Sequence, residues 1–188
     1  MSELLQERLD RIESTLAIQQ LASRYALAVD SRDVDSWVAL FVEDVDCGNY
    51  GKGREALRTF IDAGIRTFYR SVHFIGGHTI DFEGKDCASG TVYCRAEHED
   101  GDRWVVMQLV YFDTYERRNG EWFFVRRSER AWYAADQLER PQDVDFHGWN
   151  KHPLPMKLPR SFQTWGSFWS RSEPDEIAAV TSLPVGTD

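Results

Sequence analysis

At 188 residues, 42% of them hydrophobic and 28% charged, the chain has enough material for one domain whose core needs neither disulfides nor a structural metal. A formal net charge of −9 without any basic stripe argues against nucleic acid and anionic membrane surfaces as partners. No apolar run approaches the length that spans a bilayer, and the opening MSELLQERLDRIES is charged and amphipathic rather than a signal peptide, which points to the cytoplasm. Cys47, Cys87 and Cys94 are an odd number without CxxC spacing; they suit a reducing compartment and are assigned no chemistry.

In chain order, Leu4, Leu5, Leu9 and Ile12 recur at helical spacing, and so do Ile18, Leu21, Tyr25, Ala28 and Val29. Ser14 or Thr15 can cap the second of these segments. Ser31-Arg32-Asp33 breaks the pattern, and Val34 to Phe41 reads as a short helix with Trp37, Leu40 and Phe41 inward. Glu43 to Gly53 reads as a loop or short strand. Arg54 to Tyr69 forms the next helix, with Leu57, Phe60, Ile61, Ile65 and Phe68 on its buried side.

From Ser71 the period changes to that of strands. Ser71 to Phe82 and Ala88 to Glu99 are separated by a turn at Glu83-Gly84-Lys85, and Gly76-Gly77 marks a bulge in the first. After the Glu99-Asp100-Gly101-Asp102 turn, Arg103 to Arg117 is apolar on both faces over Trp104 to Phe112 and so takes a central place. Asn119-Gly120 carries the hairpin signal, and Trp122 to Tyr133 closes the series. Helices followed by an antiparallel meander give an α+β class, a strongly curved sheet wrapped around helices to enclose a conical pocket. Residues 137–188 read as a separate extension, rich in proline, beyond a domain of residues 1–136. Phe162, Trp165, Phe168 and Trp169 suit a short docking helix there, acting as a lid, as an oligomer contact or as part of the core.

Tyr25, Asp30 and His73 are polar groups in apolar surroundings. A carboxylate beside an imidazole fixes its tautomer, orients the ring and stabilises the imidazolium formed when it takes a proton. The same pairing also serves as plain structure, and Asp30 ahead of Ser31-Arg32 can equally end a helix. His98, next to Glu99-Asp100, reads as exposed. His147 and His152 lie near Asp143 and Asp145 without zinc-like spacing, no GxSxG elbow is present, and Gly76-Gly77 precedes no helix that would make it a phosphate loop. No metal or cofactor is expected.

The stretch AIQQLASRYALAVD ending at Asp30, with DSWVALFVED ending at Asp44, resembles the opening of the SnoaL-like family, whose fold is the nuclear-transport-factor type of cone. HFIGGHTIDF from His73 resembles that family's strand beginning at a catalytic histidine, and YERRNGEW from Tyr115 its final hairpin. The resemblance covers residues 5 to 135. It implies an Asp30–His73 pair acting as base, as in hexachlorocyclohexane dehydrochlorinases, whose catalytic arginine falls on Arg127, with Arg126 and Arg130 as neighbouring alternatives. Tyr25 stands five residues before Asp30, as the tyrosine does in bile-acid 7α-dehydratases; scytalone dehydratase is a more distant relative. Where many relatives carry asparagine, this chain has His78.

What the resemblance implies is a cofactor-independent lyase, a dehydratase acting on a hydrophobic, polycyclic or steroid-like hydroxy-ketone, in a homo-oligomer, dimer or trimer. An isomerase or dehydrohalogenase in the same pocket is one alternative. A non-catalytic small subunit of a ring-hydroxylating dioxygenase, or a binding module, is another.

Overall fold

The computed structural model describes residues 3–138, 170 and 173–175. Three α-helices precede four strands: α1 (Glu3–Asp30), α2 (Val34–Ala39), α3 (Arg54–Ile65), β1 (Ser71–Phe82), β2 (Cys87–Asp100), β3 (Arg103–Arg118) and β4 (Glu121–Asp136). The strands form one antiparallel sheet in the order β1-β2-β3-β4. Helix α1 touches both outer strands, β1 and β4, which requires the sheet to curl around it. The expected α+β class with a curved antiparallel sheet is the observed one.

Helix α1 is a single 28-residue element rather than two. No glycine or proline interrupts it, and neither expected cap acts as one: Ser14 is buried mid-helix, and the Thr15 hydroxyl donates to the Arg11 carbonyl at 2.8 Å. Its C-terminal half supplies the core with Ile18, Leu21, Ala22, Ala26 and Val29, whereas Leu4, Leu5, Leu9 and Ile12 are exposed.

Helix α2 starts on Asp33, whose carboxylate accepts the Ser36 N–H at 2.9 Å. Beyond it, Leu40 to Val42 runs along the free edge of β4, the Phe124 N–H donating to the Leu40 carbonyl and the Val42 N–H to the Phe124 carbonyl. Helix α3 stops at Ile65, short of the expected Tyr69. Leu57, Ile61 and Ile65 are buried as expected, but Phe60 is exposed and packs edge-on against Tyr50 at 5.4 Å, because it lies one position off the buried stripe.

The inward positions alternate along each strand. On β2 they are Ala88, Val92, Cys94, Ala96 and His98; on β3, Val105, Met107, Leu109, Tyr111, Asp113 and Tyr115. Val106 and Val110 are buried on the other face, as the inner place of β3 demands. The register slips between Ile75 and His78, so Gly76-Gly77 does form a bulge. Asn119 and Gly120, both at positive φ (53° and 86°), make the predicted tight hairpin. Two buried apolar clusters fill the interior, one around Trp37, Phe41, Tyr115 and Phe124, the other around Val92, Cys94, Met107 and Leu109; Tyr25 packs against both.

No helix among the described residues is long and apolar enough to cross a membrane. The expected extension over residues 137–188, with its aromatic segment at 162–169 and His147 and His152, lies almost wholly outside the described residues.

Candidate active site

Asp30 is the last residue of α1, and His73 the third of β1. The helix end lies across the strand start, so three donors converge on one carboxylate. His73 Nδ1 meets Asp30 Oδ1 at 2.7 Å, the Ser71 hydroxyl donates to the same oxygen at 2.8 Å, and the His73 N–H donates to Oδ2 at 2.8 Å. Burial by itself would raise the Asp30 pKa, but the bonds from His73 and Ser71 outweigh it and hold the carboxyl below its usual range. An ionised carboxylate only accepts hydrogen bonds, so Nδ1 carries the proton and Nε2 of the neutral ring keeps its lone pair. The His73 side chain is only 7% exposed, and Asp30 24%.

His98 is not at the surface. Strand alternation carries it inward, where it is 4% exposed, stands edge-on to the His73 ring with centroids 5.6 Å apart, and packs on Phe68 at 4.5 Å. The turn acids beside it suggested water; the period of β2, which continues through Asp100, decides otherwise.

The three arginine candidates separate cleanly. Arg127 points into the interior with its side chain 5% exposed, while Arg126 and Arg130 are exposed. The reason is a bulge: Tyr115 pairs with Phe124 but Thr114 with Arg126, leaving Val125 as an extra residue. One added residue exchanges the faces of everything after it, so Arg127 follows Trp122 and Phe124 to the inside.

Arg127 Nε and Nη2 donate to Asp113 Oδ1 and Oδ2 at 2.9 and 2.7 Å, and the Asp113 side chain is fully buried. The guanidinium also lies 4.3 Å from the Tyr25 ring centroid, 4.2 Å from Tyr111 and 4.4 Å from Phe124. Burial opposes its charge, but the Asp113 bonds win and hold the pKa above that of an ordinary arginine. Nη1 is buried and has no hydrogen-bond partner among the described residues. Tyr115 extends the network: its hydroxyl donates to Asp113 Oδ2 at 2.8 Å and meets His78 Nε2 at 3.0 Å. Since that hydroxyl spends its proton on Asp113, His78 Nε2 is the donor to it. Burial keeps the His78 pKa below its usual value, with Asp113 opposing and Arg127 assisting. Gly90 makes room for the pair, because a Cβ there would sit 2.8 Å from the Thr79 carbonyl, 3.0 Å from the Tyr115 ring and 3.2 Å from His78 Nε2.

Tyr25 stacks at a tilt between Trp37 and Tyr111, with centroids at 5.5 and 5.8 Å. Burial pushes its hydroxyl well above the ordinary tyrosine value despite the nearby Arg127 charge, so it stays a proton donor. Cys94 is buried on β2, and burial pushes its thiol up to about 12.

The structure thus brings Asp30 and His73 into contact, and sets Tyr25 against Arg127 in the same interior. Two surface hollows, of about 530 and 690 Å³, lie on the outer sheet face and between α1 and β4; neither is lined by Asp30 or His73. Among the described residues no group of three or more His, Cys, Asp or Glu side chains is placed to hold a metal ion. Asp113 and Tyr115 were missed in the sequence, where the only signal available was an acid at an inward position of an otherwise apolar strand.

Comparison with known proteins agrees with this architecture. The chain is 28% identical over 127 residues to the gamma-hexachlorocyclohexane dehydrochlorinase of Sphingobium indicum, spanning 64% of this chain and 81% of that one. A candidate scytalone dehydratase from Novosphingobium aromaticivorans superposes with a TM-score of 0.60 at 27% identity, covering 70% of this chain and 93% of that one. An NTF2-like protein with a cystatin-like fold from the same species gives 0.54 at 28%, over 66% and 86%. The model of the SnoaL-like domain matches residues 10–128, and the chain belongs to that family.

Proposed function

We propose that the chain is a cofactor-independent lyase that eliminates a small leaving group from a carbon next to an acidic C–H. The observation that carries this reading is the 2.7 Å contact between His73 Nδ1 and Asp30, which leaves the Nε2 lone pair to take a proton. His73 takes the proton, the C–H electron pair becomes the new double bond, and the leaving group departs with its own bonding pair. For a hydroxy-ketone, Tyr25 donates to the carbonyl oxygen as it gathers charge, and the His73 imidazolium returns the proton to the departing hydroxyl, so that water leaves. The aromatic rings of Tyr25, Phe68 and Tyr111 favour a hydrophobic, polycyclic or steroid-like substrate.

Loss of hydrogen halide is the second reading. It is favoured by Arg127, whose buried Nη1 is a cationic donor with no hydrogen-bond partner among the described residues, suited to a departing anion, and by the 28% identity to dehydrochlorinases. The chain is also proposed to self-associate as a dimer or trimer, since Phe74 and Phe112 expose apolar surface on the outer sheet face. Product analysis with 7-hydroxy-3-oxo steroids, scytalone-like polyketides and chlorinated cyclohexanes tests the reading. An alkene appearing with water or chloride supports elimination and identifies the leaving group. A double bond that only migrates makes the chain an isomerase, and no turnover of any substrate favours a scaffold or binding role.

A further inference from the structure

The C-terminus of α1 closes in a geometry that glycine normally occupies. The Asp33 N–H donates to the Ala28 carbonyl at 2.9 Å and the Arg32 N–H to the Val29 carbonyl at 3.1 Å, the paired bonds of a Schellman motif. The residue that turns left-handed is Arg32, at φ 62°. An arginine there carries backbone strain that a glycine would not.

The gain lies in what the side chain reaches. Arg32 Nη1 donates to the Val29 carbonyl at 2.7 Å and to the Ser71 hydroxyl at 3.0 Å, and Nη2 donates to the carbonyls of Phe68 and Tyr69 at 3.2 and 2.9 Å. The guanidinium also lies 4.8 Å from the Phe68 ring centroid. One side chain therefore ties the helix end to the segment that enters β1.

These bonds have a direction. A guanidinium cannot accept, so the Ser71 oxygen accepts from Arg32 and its single proton is left for Asp30 Oδ1, at 2.8 Å. That oxygen is also the one His73 Nδ1 meets. With glycine at position 32 the turn would still form, but the serine oxygen would lose the donor that commits its proton to Asp30.

We propose that Arg32 is a positioning residue: acting through Ser71, it fixes the Asp30 carboxylate and hence the aim of His73. The kinetic consequence rests on the elimination reading; the effect on Asp30 does not. A plain structural strap would contribute to stability alone, whereas a positioning chain couples Arg32 and Ser71 to each other and to Asp30.

The test compares the full-length protein with Arg32→Gly, Ser71→Ala and the double variant. Glycine suits the left-handed position, so the first variant keeps the turn. Turnover of an elimination substrate is followed beside a carboxyl-carbon NMR titration of Asp30. The charged and titratable groups facing that carboxylate are His73 on β1, Arg32 beside it and Cys94 on β2. Losing the serine donor or the cation disfavours the ionised form, so the Asp30 midpoint moves up in all three variants. We expect kcat to fall about tenfold in each single variant, the rate equivalent of one charge-assisted hydrogen bond, with KM little changed. The double variant should lose no more than the worse single one. Unchanged kcat in folded Arg32→Gly, losses that multiply in the double variant, or an unmoved Asp30 midpoint would each overturn the proposal. If the wild type eliminates nothing, the lyase reading fails on its own, and the Asp30 titration still decides this one.

Discussion

Arg127 and Asp113 face each other across β3 and β4 through two hydrogen bonds, at 2.9 and 2.7 Å, with their side chains 5% and 0% exposed. Neither charge has water to fall back on. Removing one partner strands the other, which costs about 3–5 kcal/mol for a buried pair. Asp113→Ala and Arg127→Ala should each show that loss in urea denaturation, and Arg127→Met combined with Asp113→Leu should recover most of it. Arg126→Ala, on the exposed face, should stay within about 0.5 kcal/mol of wild type and leave turnover unchanged. An Arg126 variant as damaging as the Arg127 one would mean that the register of β4 is wrong.

The Asp30 carboxylate couples stability to pH. Its pKa in the folded protein lies below the ordinary 3.8, so the unfolded chain binds the proton more readily. The stabilisation is present above that value and is lost as pH falls through the lower, folded pKa. Asp30→Asn should therefore be less stable than wild type at neutral pH, by about 1–3 kcal/mol for loss of hydrogen bonds to a charged group. The gap should close in strongly acidic solution. Thermal midpoints of both proteins between neutrality and strong acid check this; a constant gap throughout contradicts it.

Gly90 is where the network meets the sheet. A methyl group there would lie 2.8 Å from the Thr79 carbonyl, and backbone cannot step aside as a flexible side chain can. Gly90→Ala should cost about 1–3 kcal/mol, typical of overpacking. It should also part His78 from Tyr115, seen as a change in the His78 ring signals by NMR. A variant as stable as wild type, with those signals unmoved, would show that the approach is less tight.

Much of the fold was legible because it is written in local patterns. The change from helical to alternating spacing at Ser71 and the Asn119-Gly120 turn placed the elements within a few residues. Asp30 and His73, 43 residues apart, were legible as a pair only through family resemblance, since no spacing rule joins a helix end to a strand start. The orientation of Arg127 was not legible, because it depends on the extra residue at Val125, a feature of strand pairing rather than of either strand. His98 was misjudged from the acids beside it, when the alternation of Val92, Cys94 and Ala96 already pointed it inward. Phe60 failed in the opposite sense, as an apolar side chain just off the buried stripe of α3.

The central claim is that the His73 imidazole removes the substrate proton. Its most direct test is turnover by His73→Ala beside wild type on the substrate that wild type eliminates, with folding of both followed by circular dichroism. We predict a folded variant whose turnover drops by at least about a hundredfold, the scale of a lost general base. A folded variant that retains wild-type turnover would contradict the account, because no base held by Asp30 would then be needed.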